Sequence, residues 1–172
     1  MPSESLTIGS ILLRIALSML LSGILGFERE KKRRPAGFRT YIVVCLGSSL
    51  AMMTGIYLTD LYGTGDPGRI AAQVISGIGF LGAGTILVTR QNQVKGLTTA
   101  AGLWASACLG LALGAGFYIG AILSFIGIWS SLKILQKVDS YLYLHSKVIN
   151  LYVEFASVSD VSHFIAYARS QN

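Results

Sequence analysis

The sequence predicts an all-α polytopic membrane protein: five transmembrane helices, N-terminus outside and C-terminus inside, followed by the start of a small cytoplasmic α/β domain. Three observations carry that expectation. Of 172 residues, 52% are hydrophobic and only 13% charged, against about 25% charged in an average soluble domain. The mean hydropathy is +0.60, and the charges gather between long apolar runs. The densest basic block, EREKKRRPAGFR at 28–39, sets six basic residues against two acidic ones, which assigns that loop to the cytoplasm by the positive-inside rule. The net charge of +6 therefore reports orientation before it reports a ligand. No nucleic-acid partner is expected, because no basic helix or aromatic-interleaved basic surface remains outside the spans.

The first span is expected over 8–27. It lacks a basic leader and a cleavage-like site, so it reads as a retained helix rather than a signal peptide. Arg14 interrupts it, with Ser18, Ser22 and Gly26 following at i+4 steps on the same face. Either that face points into the bundle or Arg14 snorkels to the nearer surface. Pro35 and Gly37 break the chain before a second span over 40–59. The loop DLYGTGDPG at 60–68 is turn-rich and external.

The central span is expected over 69–90, between Arg69 and Arg90. Its 20 intervening residues carry no charge, and a helix of that length reaches roughly 30 Å, the thickness of a bilayer core. Ala72, Ser76, Gly79 and Ala83 form a smooth face, joined by Gly77, Gly82 and Gly84, so a helix packed on several sides is expected. Gly77–Gly82 matches G-x-G-x-x-G, but no strand or turn precedes it and no acid follows about 20 residues on, so the dinucleotide reading is rejected.

Residues 97–132 hold 36 residues without a charge. Gly114-Ala115-Gly116 near the middle suggests two short crossings or a re-entrant hairpin. Basic residues on either side (Arg90 and Lys95 before, Lys133, Lys137 and Lys147 after) favour two crossings with both ends inside. Tyr57, Tyr62, Phe117 and Tyr118 then fall at the outer interface, and Tyr41 and Trp129 at the inner one. An amphipathic linker helix is expected over 133–147, and an incomplete cytoplasmic β-α segment over 148–172. Within it VINLYVEF at 148–155 reads as a strand, and Ser157-x-x-Asp160 starts a helix ending near Arg169.

Few residues suggest chemistry. Cys45 and Cys108 lie in apolar runs and read as small packed side chains, and His145 and His163 stand apart from other ligand types. No serine, threonine or cysteine has a base at a suitable spacing, so neither an enzyme nor a cofactor is expected. Topology gathers an outer cluster of Arg14, Asp60, Asp66, Arg69 and Gln73. Asp60 and Asp66 are weak candidates for a hydrated Mg²⁺; solvating a turn beside the arginines is the plainer role. An inner cluster joins Glu28, Arg29, Glu30, Arg33, Arg34, Arg39, Thr40, Arg90, Lys95, Thr98 and Thr99. It suits ion pairs and anionic lipid contact, or a site for a phosphate-like anion or acidic partner.

GFERE at 26–30, PAGFRT at 35–40, DPGRIAAQVISGIGFLGAG at 66–84 and KGLTTAAGLW at 95–104 together resemble the MgtC/SapB family of bacterial inner-membrane proteins. The resemblance implies a five-helix membrane domain and a small ACT-like cytoplasmic domain, of which only the first strand and helix are present. It implies a regulatory role in low-magnesium growth, in survival inside host cells, and in control of phosphate uptake or the membrane ATP synthase. By motif it singles out Glu28, Arg29, Glu30, Arg39, Thr40, Asp66, Arg69, Gln73, Thr98, Thr99 and Trp104. The partners expected are the bilayer, other inner-membrane proteins and a second copy in a homodimer. The alternative is a Mg²⁺ or anion carrier or channel acting as an oligomer.

Overall fold

The computed structural model describes residues 6–89, 93–144, 154–155 and 157–170. The chain divides into two compact units, 1–135 and 136–172. Among the described residues, three helices are long and apolar enough to cross a membrane: α1 (Ile8–Lys31), α2 (Phe38–Tyr62) and α4 (Leu97–Gly114). The protein is mostly helical, and the features that start and stop each helix are local.

Thr7 caps α1, its side chain accepting from the Ser10 amide at 3.3 Å. The helix continues through the charged 28–31 segment rather than ending at Phe27. These are good helix formers, and Glu28 pairs with Lys32 one turn on at 2.7 Å. After the turn at 32–37, α2 begins behind Gly37, which offers no side-chain cap. Glu30 supplies one from the end of α1, its Oε2 accepting the Phe38 amide at 2.9 Å. The carboxylate thereby meets the positive end of the α2 dipole.

Asp66 caps α3 (Pro67–Gly84), accepting the Gly68 amide at 2.8 Å, with Pro67 in the first turn. The helix stops at Gly84, six residues short of Arg90. In place of continuous helix the chain makes a two-stranded antiparallel hairpin, β1 (Leu87–Val88) and β2 (Val94–Lys95), with Leu87 opposite Lys95 and Val88 opposite Val94. The expected span over 69–90 is corrected accordingly. Thr85, Ile86, Val88 and Thr89 are β-branched and leave the helix readily. Gly96 closes the hairpin at φ +98°, where any Cβ would overlap the Thr85 carbonyl.

A tight turn at Ala115–Phe117 joins α4 to α5 (Tyr118–Leu144), at the place the glycines suggested, with Gly116 at φ +78°. No break separates α5 from the linker helix expected at 133–147; one helix covers 118–144. Lys133 Nζ lies 4.2 Å from the Trp129 ring, one turn away. The expected strand at 148–155 lies almost wholly outside the described residues, as do Arg90, His145 and Lys147. In the second unit α6 (Val158–Ser170) starts directly after Ser157, and Phe164 packs on Phe155 with ring centroids 5.4 Å apart.

The core of the first unit is the interface of α1, α2 and α4, with the start of α5 against it through Ala121. The third helix packs on α2 and α4 from outside this trio. Its buried residues are Ile78 and Gly82, so within one chain it packs on α2 and α4 through one side and leaves the rest of its small-residue surface exposed. Tyr41, in the first turn of α2, is fully buried between the helices.

Candidate functional site

A polar seam runs the length of the α1–α2–α4 interface. It is built by two stripes at i+4 spacing, Arg14-Ser18-Ser22-Gly26 on α1 and Gly102-Ser106-Gly110-Gly114 on α4. All eight residues are buried. Spacing of four keeps each stripe on one helix face, and small residues let the backbones approach closely. A Cβ at Gly26 would sit 2.8 Å from the Phe38 Cα, and one at Gly114 would sit 2.5 Å from the Ser49 carbonyl oxygen.

At one end, Arg14 is 1% exposed. Its Nη1 donates to the Gly114 carbonyl at 2.7 Å and its Nε to the Tyr118 hydroxyl at 3.4 Å. Gly114 is the last residue of α4, where carbonyls lack intrahelical partners and the dipole is negative. Arg14 therefore faces the bundle rather than snorkelling, and it pins the α4–α5 turn. Farther along, Ser22 donates to the Ser18 carbonyl, and Ser106 donates to the Tyr41 carbonyl at 3.1 Å.

At the other end, Arg29 is 6% exposed, and its Nη2 donates to Thr99 Oγ1 at 3.0 Å. Both residues carry motif resemblance, and the fold brings them together across 70 residues. Among the described residues, Arg29 Nε, Tyr41 Oη, Ser18 Oγ and Ser49 Oγ are buried and find no hydrogen-bond partner within bonding geometry. The charged side chains buried in the seam are both arginines; no buried carboxylate accompanies them among the described residues.

Of the other inner residues that the structure describes, none is buried. Glu28 pairs with Lys32, Glu30 caps α2, and Arg39, Thr40, Lys95, Thr98 and Trp104 are exposed. The expected outer cluster divides. Arg14 belongs to the seam, whereas Asp66, Arg69 and Gln73 line a cleft of about 630 Å³ between the end of α2 and the start of α3. Asp60 is exposed and does not line that cleft. Asp66 is engaged as the α3 cap, and no three His, Cys, Asp or Glu side chains come together among the described residues.

Of the small residues singled out on α3, Gly82 alone is buried among the described residues; a methyl added there would lie 3.4 Å from the Ala100 Cβ. Ala72, Ser76, Gly77, Gly79, Ala83 and Gly84 are exposed, and a Cβ at Gly77, Gly79 or Gly84 meets nothing within 4 Å. The covered small face is instead on α4. Its signal, Gly102-x₃-Ser106-x₃-Gly110-x₃-Gly114, has the same i+4 spacing as the stripe on α1, whereas the α3 residues step by four, three and four.

Comparison with known proteins bears on this arrangement. The model of the MgtC family matches residues 15–141. The chain is 38% identical to the YhiD protein of Escherichia coli K12 over 81% of its own length and 64% of the relative's; that name provisionally assigns magnesium transport. It is 41% identical to SapB of Bacillus subtilis, covering 73% of the chain and 56% of the relative. It is also 41% identical to MgtC of Salmonella typhimurium, covering 64% and 46%. The chain thus spans about half to three-fifths of the length of these curated relatives, and none of their names denotes an enzyme. No solved structure matches the chain at a significant level.

Proposed function

The chain belongs to the MgtC family, and on that premise we propose that it is a non-enzymatic regulatory protein of the bacterial inner membrane, acting by docking other membrane proteins. In this reading five helices cross the bilayer, N-terminus out and C-terminus in. The shorter α3 and the apolar 118–134 portion of α5 join the three long helices, and the second unit begins an ACT-like domain. Low-magnesium adaptation, survival inside host cells and control of phosphate uptake or ATP synthase are the processes proposed for it.

One observation carries the docking reading. The trio α1, α2 and α4 buries its small-residue faces internally, but α3 turns Ala72, Ser76, Gly79 and Ala83 outward. A smooth face of this kind lets a second helix approach to backbone contact, the main source of helix association in lipid. Gly79→Leu and Ala83→Leu are therefore expected to abolish partner capture and low-Mg²⁺ growth while membrane insertion and thermal stability stay at wild-type values. Normal capture and growth in both variants would sink the reading.

A second reading, an oligomeric carrier for Mg²⁺ or an anion, draws on the Escherichia coli relative's name and on the cleft of Asp66, Arg69 and Gln73. The seam inside one chain suits cations poorly, since fixed guanidinium groups near both ends repel them. Purified protein in liposomes that moves neither Mg²⁺ nor phosphate under an imposed gradient removes this reading.

A further inference from the structure

Two clefts of opposite chemistry meet at the turn between α1 and α2. One, of about 330 Å³, is lined by Glu30, Arg33, Arg34, Gly37, Arg39 and Thr40. The other, of about 620 Å³, is lined by Phe27, Glu30, Lys31 and Phe38. Glu30 borders both. Its Oε2 is held by the Phe38 amide at 2.9 Å, which makes the carboxylate a fixed partition between them. Three arginines against this one glutamate leave the first cleft with two net positive charges. The first turn of α2 adds the positive end of its dipole and the Thr40 hydroxyl. Across the partition, Phe27 is 64% exposed and Phe38 41% exposed.

We propose that this paired cleft binds one anionic phospholipid. The phosphate lies among Arg33, Arg34, Arg39 and Thr40, and an acyl chain runs along Phe27 and Phe38. Position supports the assignment. The apolar run of α1 ends at Phe27 and that of α2 begins at Phe38, so both clefts sit where hydrocarbon gives way to water. Guanidinium groups match phosphate oxygens bidentately. A free phosphate shares that chemistry, but it accounts for the basic cleft only and leaves the aromatic one unused.

The test uses the purified full chain in detergent, with thermal unfolding and native mass spectrometry as readouts. Dioleoyl phosphatidylglycerol is expected to bind saturably and raise the unfolding midpoint, while dioleoyl phosphatidylcholine and millimolar inorganic phosphate do not. Arg34→Gln with Arg39→Gln should weaken phosphatidylglycerol binding roughly 30-fold. Phe27→Gln should also weaken it. All three side chains are exposed, and unchanged helical circular dichroism verifies that the variants fold. Equal binding of the two lipids, or full phosphatidylglycerol affinity in the arginine double variant, overturns the proposal. A full shift from inorganic phosphate that ignores Phe27→Gln also overturns it, and assigns the basic cleft to the free anion.

Discussion

Gly110→Ala is expected to cost about 3 kcal/mol, the upper end of the range for overpacking a core. The added methyl would overlap the Cys45 carbonyl oxygen and lie 2.9 Å from the Ser48 Cβ. Backbone cannot step aside as a flexible side chain can, so α2 and α4 must separate along the seam. By helix propensity alone the change from glycine to alanine gains about 1 kcal/mol, so the sign of the effect is diagnostic. The control is Gly79→Ala, where the same methyl meets nothing within 4 Å and stability should hold or rise. Unfolding midpoints in detergent compare the pair. Equal stability of the two variants would mean that α2 and α4 do not approach this closely.

Arg14→Ala carries the second large effect, and there two terms oppose each other. Removing a buried cation that has no carboxylate partner relieves a desolvation cost. Against that, the Gly114 carbonyl and the Tyr118 hydroxyl lose their donor, at about 1–3 kcal/mol for a buried group left unmatched. Truncating a large, fully buried side chain adds a cavity term of about 2–5 kcal/mol. The dipole of α4 already stabilises the charge, so the losses should win, with a net destabilisation of about 2 kcal/mol. Arg14→Met separates the terms: it restores volume without the hydrogen bonds and should fall between Ala and wild type. The readout is again the unfolding midpoint, with proteolytic nicking at 115–117 reporting release of the turn. Wild-type stability in Arg14→Ala would deny the guanidinium this role.

The helix-breaking chemistry of this fold is written locally and reads easily. Pro35 and Gly37, Asp66 before Pro67, and Gly114 to Gly116 each mark a boundary that the structure keeps. The inward face of α1 is legible too, because Ser18, Ser22 and Gly26 repeat the spacing from Arg14. What spacing cannot say is whether a small face is covered. Ala72-Ser76-Gly79-Ala83 and Gly102-Ser106-Gly110-Gly114 look alike as text, yet one is open and the other is filled by α2. That difference rests on which helices become neighbours, a long-range property. The uncharged run from Ile70 to Thr89 similarly hides a switch from helix to hairpin, because hydropathy counts Ile86 and Val88 the same in either conformation. The Arg29–Thr99 and Arg14–Gly114 contacts join residues 70 and 100 positions apart, beyond any local pattern.

The Arg14–Gly114 bond also orders events in time. At about 5–20 residues per second, synthesis of the intervening chain takes roughly 5–20 s, and α1 has left the ribosome long before its acceptor exists. During that interval the guanidinium must be held by water, headgroups or the insertion machinery, at a cost of about 2.5–3.5 kcal/mol if it sits in lipid. The leucines and isoleucines of α1 offset that cost segment-wide, so the helix can enter alone but not settle. The α4–α5 turn thus acts as a late latch, and the membrane unit completes itself only after most of its chain has been made.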